Sequence, residues 1–190
     1  MYDVLKKTLQ EEFQYTDFQI QQIKYVLLTL LSEISKLLIF FVFFANISKL
    51  PELMISIISL LSVRIFTGGI HLKHYISCLL LSFGILFASI CILPLLININ
   101  ALSIILILFI CIITVYLIGP IPSSQRPALS ENQKKSGSLK ATTSILIYMS
   151  IILIFPDNQY LHIGFWSILL QTIQLGFAKI NLYRKGENQR

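Results

Sequence analysis

Apolar residues gather in six long runs, at about 22–47, 50–66, 76–97, 101–118, 141–155 and 160–178, with short polar stretches between them. A helix needs roughly 20 such residues to cross a hydrocarbon core, with ~17 as a lower bound. The third, fourth and sixth runs meet that length. The fifth does so only if Ala141-Thr142-Thr143 is extended backwards, and the second is interrupted by Arg64 and ends near it. Within lipid each backbone N–H and C=O must be satisfied inside its own segment, which a helix achieves. The pattern therefore predicts an all-α, polytopic membrane bundle of about six spans. Ahead of the first run, Leu5, Leu9 and Phe13 recur every four positions among charges of both signs in residues 1–20. That spacing fits an amphipathic helix lying on the membrane surface, although a frayed polar tail fits it as well.

Composition agrees. Hydrophobic residues make up 55% of the 190 positions and charged residues 13%, with a mean hydropathy of +0.77. One soluble core could not hide so much apolar surface, whereas lipid solvates the outer faces of a bundle. A single domain over residues 1–190 follows. Residues 119–140 read as a basic loop and 179–190 as a tail. The net charge of +6 does not suggest nucleic acid, because the basic residues stand at the ends of apolar runs. Arg126, Lys134, Lys135 and Lys140 face Glu131 alone in the 119–140 segment, and Lys179, Arg184, Lys185 and Arg190 mark the tail. The turns near 97–100 and 156–160 hold no Lys or Arg. The positive-inside rule then places both termini and the Arg64–Cys78 stretch in the cytoplasm, with Lys49 as one violation. The opening MYDVLKKTLQEEF has no apolar core or cleavage site and is not a signal peptide. Three cysteines, Cys78, Cys91 and Cys111, argue against a disulfide framework, and the last two read as small apolar filler.

One polar island stands apart: Arg64-Ile-Phe-Thr-Gly68-Gly69-Ile-His71-Leu-Lys-His74-Tyr-Ile-Ser-Cys78. A thiol becomes a strong nucleophile as thiolate, and imidazole is its usual proton acceptor. The glycine pair predicts a kink or brief unwound passage, with a helix restarting near His71. On a continuous helix, positions seven apart share a face but lie about 10.5 Å apart along the axis. A direct His71–Cys78 bond therefore requires a bend, whereas His74 and Cys78, four apart, meet on an unbroken helix. Spacing alone thus favours His74 as the base. Three readings remain open: thiol catalysis, a metal site using His71, His74 and Cys78, and interfacial polar residues that cap two helices. The metal reading lacks an HExxH glutamate and a fourth ligand.

Elsewhere, Glu33 and Lys36 stand three apart within the first run. They form either an internal pair or, if Glu33 turns toward a histidine, the orienting member of a triad. Lys134-Lys135 follow Pro120, Pro122 and Pro127, as a topology signal or a docking surface for an acidic peptide. His162, beside Tyr160 and Trp166, reads as part of an interfacial aromatic belt.

The pattern Arg64-x3-Gly68-Gly69-x-His71-x6-Cys78, with Glu33-x2-Lys36 before it and Gly119-Pro120 and a lysine-containing loop after it, resembles the accessory gene regulator B (AgrB) family. The resemblance implies a bacterial cell-membrane cysteine endopeptidase of quorum sensing. Such an enzyme removes the C-terminal part of a short AgrD-like precursor and helps close the remainder into a thiolactone or lactone. It makes Cys78 the nucleophile and His71, which stands seven before it, the base, in place of His74. Arg64 and Gly69 match upstream elements of the motif. No cofactor and no metal are expected; the candidate partners are the precursor peptide, membrane lipid and a second copy of the chain. A small transporter or exporter without covalent chemistry is the alternative.

Overall fold

The computed structural model describes residues 15–69, 74–121 and 130–187. Most of the expected surface helix (residues 1–14), His71, and the proline-containing stretch 122–129 with Arg126 lie outside the described residues. Six helices are long and apolar enough to cross a membrane, and no strand occurs among the described residues. They are α1 (Asp17–Asn46), α2 (Leu50–Thr67), α3 (Tyr75–Leu96), α4 (Ala101–Ile118), α5 (Glu131–Ile154) and α6 (Gln159–Glu187). The all-α, six-span expectation holds.

The chain divides after Phe43 into two compact units. The first holds most of α1. At about 1.5 Å per residue, the 30 residues of this helix reach roughly 45 Å, longer than a hydrocarbon core. Leu30, Leu31, Ile34 and Leu38 are exposed, as lipid-facing side chains would be. Lys36 donates to Glu33 Oε1 at 2.6 Å, with the lysine buried and the carboxylate half-exposed. The internal pair is thus formed, and it removes two isolated charges from an apolar helix.

In the second unit α2, α4, α5 and α6 enclose the core. Val63, Leu108, Val115, Ile145, Phe165 and Ile168 are wholly buried there. Their ends follow local chemistry. Pro51 opens α2 where a missing N–H costs nothing. The Asn100 side chain accepts from Ser103 N at the start of α4. Ser130 and Gln133 form a reciprocal capping box that starts α5 at Glu131. The fifth span is therefore completed backwards well beyond Ala141, and residues 131–140 of the expected basic loop are helical.

Helix α3 passes through a π-helical turn at Ala88–Ile92, just ahead of Pro94. Proline lacks the N–H that an α-helical ladder needs, and the widened turn accommodates it. The same turn brings Ser89 to α2, where Ser56 Oγ lies 2.9 Å from Ser89 Oγ and 2.5 Å from Ser167 Oγ of α6. These buried hydroxyls join three spans where lipid offers no competing partner. Gly164 lets α6 approach closely, since a Cβ there would overlap the hydroxyls of Tyr148 and Ser59.

Trp166 departs from the expected aromatic belt. It is buried against Phe165, ring centroids 4.9 Å apart, because its position on α6 faces the core. At the same end of α2, Lys49 donates to Glu52 Oε1 at 2.8 Å. That bond holds the Lys49 ammonium above the ordinary lysine range. On the alkaline side the pair's contribution is lost only as pH rises past the folded lysine value, and on the acid side it is lost when the Glu52 carboxylate takes a proton. Neutral pH leaves it intact.

Candidate functional site

The island begins where α2 stops. Thr67 Oγ1 turns back to Val63 O at 3.0 Å, and Gly68 takes a left-handed φ of 74° while its N–H closes onto Arg64 O at 2.8 Å. That conformation favours glycine strongly. A second chain segment braces the turn: Ile121 N donates to Thr67 O at 3.0 Å just after Gly119, which caps α4 with a φ of 67°. Gly137 of α5 permits the close approach of Pro120, because a Cβ there would come within 2.7 Å of the proline ring. The ends of α2 and α4 and the early part of α5 thus converge on the glycine pair.

Arg64 is half-buried, with its guanidinium over Gly69. A Cβ on Gly69 would stand 3.4 Å from Arg64 Cζ. The arginine thus folds across the exit of α2, close against the Gly69 backbone. Motif spacing marked both residues, and the structure brings them together.

The next described helix starts at Tyr75, and the expected restart near His71 lies outside the described residues. His74 is its N-cap, with extended backbone (φ −99°, ψ 134°), and its carbonyl accepts from Cys78 N at 3.1 Å. The spacing argument for His74 assumed one unbroken helix, and that premise fails because His74 lies outside the helix that carries Cys78. His71 itself lies outside the described residues. Cys78 is 8% exposed, in the first turn of α3. His74 offers that helix start no side-chain cap, so its first main-chain N–H groups are not met by that residue.

Lys134 and Lys135 are exposed on the first turns of α5. Glu33 sits in the first unit, engaged by Lys36. Cys111 is a core residue and Cys91 is half-buried, in keeping with filler. Among the described residues no group of three or more His, Cys, Asp or Glu side chains could hold a metal ion.

One residue outside every motif of the sequence stands at the glycine pair, and a second lies three positions further along the same helix. Gln171 of α6 is fully buried and donates from Nε2 to Gly68 O at 2.9 Å. Its Oε1 and both amide atoms of buried Gln174 have no partner among the described residues. Each such orphan costs on the order of 1–3 kcal/mol. The signal was present in the sequence as two glutamines three apart inside an apolar run. At the opposite end of α2, a cavity of about 540 Å³ lies among Lys49, Glu52, Cys91, Tyr160 and Trp166, and no residue of the island lines it.

A family model described as Accessory gene regulator B matches residues 1–175. No curated protein and no solved structure matches the chain.

Proposed function

The chain belongs to the accessory gene regulator B family, multi-pass membrane proteins that process an autoinducing peptide, and from that premise we propose that it is a cysteine endopeptidase acting on an AgrD-like precursor. The observation that carries the reading is the helix break of the island. Cys78 occupies the first turn of α3, after the break that separates it from α2, and Arg64 meets Gly69 at the end of α2. In the sequence, His71 stands between Gly69 and His74.

The chemistry is acyl transfer. The His71 imidazole takes the proton from Cys78 Sγ, and the sulfur attacks a precursor carbonyl carbon. The negative charge that develops on the carbonyl oxygen falls near the start of α3, where main-chain N–H groups and the helix dipole favour an anion. Collapse breaks the C–N bond, and the imidazolium returns its proton to the departing amine. The N-terminal part of the precursor stays on Cys78 as a thioester. An internal thiol or hydroxyl of the precursor then attacks that thioester, expels Cys78 and closes a thiolactone or lactone. Low water activity at the membrane edge protects the intermediate. In this reading Arg64 binds a substrate carboxylate or stabilises the thiolate. Lys134 and Lys135 offer a cationic surface to an acidic precursor end. Glu33, already paired, neutralises Lys36 rather than orienting a histidine.

Thiol and metal chemistry separate by reagent. Alkylation of Cys78 should inactivate the protein in nanodiscs, and strong chelators should leave the rate unchanged. Chelator-sensitive cleavage restored by zinc would contradict the thiol mechanism.

We assign the island to the cytoplasmic face, where a ribosomally made precursor begins, on the strength of the loop charges. Asp157 is the better probe of the other face, because the Asn158 side chain accepts from Tyr160 N. The Asp157→Cys variant, in a Cys91→Ala/Cys111→Ala background, should label in intact cells with an impermeant thiol reagent. Cys78 should label only after the membrane is opened, and rapid labelling of Cys78 from outside would reverse the assignment.

A further inference from the structure

Gln171 and Gln174 are three apart on α6, so they present neighbouring carboxamides on one face. Both are at least nine-tenths buried, and between them they leave two acceptors and one amide nitrogen without a partner among the described residues. Gln171 fixes the place of this pair, since its Nε2 is bonded to Gly68 O at the point where α2 gives way to the island. A buried orphan amide in a native fold needs an explanation, and a ligand that completes it is one.

The missing partner has a recognisable chemistry. A carboxamide offers a neutral acceptor and a neutral donor, which is the complement of a peptide unit. A charged ligand would call for a charged partner here, and Arg64 is already folded over Gly69. A peptide drawn to the membrane edge carries the opposite problem, because its own N–H and C=O groups leave water and must be paired. Resting on the peptide-processing reading above, we propose that Gln171 and Gln174 form a main-chain recognition site. Both amides are closed off in the substrate-free structure, so this site opens as an extended stretch of substrate exchanges hydrogen bonds with them. Such a site reads the backbone and tolerates variation in side chains.

The two glutamines should respond oppositely to leucine. Gln174→Leu removes an unpaired buried amide at nearly constant volume, so the substrate-free protein should melt at a higher temperature. Gln171→Leu deprives Gly68 O of its donor, so that variant should melt lower. Binding is read in a Cys78→Ala background in nanodiscs. The probe is a synthetic AgrD-like precursor, labelled at its N-terminus with a fluorophore and followed by anisotropy. Gln174→Leu should raise Kd about tenfold. A scan of N-methylated precursors should contain one position where methylation weakens binding to protein that keeps Gln174 but not to the Gln174→Leu variant. Unchanged Kd, or a Kd that rises together with a fall in melting temperature, overturns the proposal, as does a precursor that binds neither form. The two readings fail separately. Binding that depends on Gln174 without any cleavage by the unmodified protein rejects the cysteine mechanism alone. Cleavage that needs Cys78 with binding indifferent to Gln174 rejects the recognition site alone.

Discussion

Cys78→Ala should eliminate precursor cleavage, with a loss of more than about a thousandfold, because the covalent route disappears with its nucleophile. Cys78→Ser should fall nearly as far: a hydroxyl without strong activation is a poor substitute for a thiolate. The serine variant separates two classes of function. A transporter that uses Cys78 only as a small polar lining residue would retain most of its activity, since serine is close in size and still polar. The measurement is release of the C-terminal precursor fragment by purified protein in nanodiscs, followed by mass spectrometry. Both variants should melt close to the parent protein, because the backbone bond from Cys78 N to His74 O survives either substitution.

The second large effect separates the two histidines. His71→Ala should cost more than about a thousandfold in kcat, and His74→Ala only a few-fold. The order follows from where α3 begins. His74 is the extended cap of the helix that carries Cys78, so although its carbonyl accepts from Cys78 N, its backbone is not that of a helical i, i+4 pair. A base seven residues away can approach the thiol because the intervening chain is not one continuous helix. A pH profile of kcat/KM adds an independent check, since its acidic limb should disappear in whatever residual activity His71→Ala retains.

Most of the architecture was legible because lipid imposes a simple rule. Runs such as 101–118 contain no polar break, and α4 covers that same span. The boundaries that moved did so for local reasons. α5 begins at Glu131, ten residues before its apolar run, because Ser130 and Gln133 cap it reciprocally; that Ser-x-x-Gln signature was readable and was overshadowed by the lysines. α3 starts at Tyr75, directly after an extended His74. Other features depend on packing between distant segments. The bonds from Ser56 to Ser89 and Ser167 join residues up to 111 positions apart, and no spacing rule exposes them. Gln171 reaches Gly68 across 103 positions in the same way. Trp166 looked interfacial from its aromatic neighbours, but helix phase turned it into the core. Arg64 and Gly69 were visible as a motif, and their contact, a guanidinium folded against the Gly69 backbone, became visible only in three dimensions.

The central claim is that a thioester forms on Cys78, and its most direct test is to trap it. A precursor whose internal ring-closing residue is replaced by alanine can acylate the protein but cannot cyclise off it. Intact-mass spectrometry of protein incubated with this precursor should show an adduct equal to the N-terminal precursor fragment, mapped to Cys78 and released by neutral hydroxylamine. Free C-terminal fragment should appear in equal amount. Cleavage without any adduct, persisting in Cys78→Ala protein, would contradict the account.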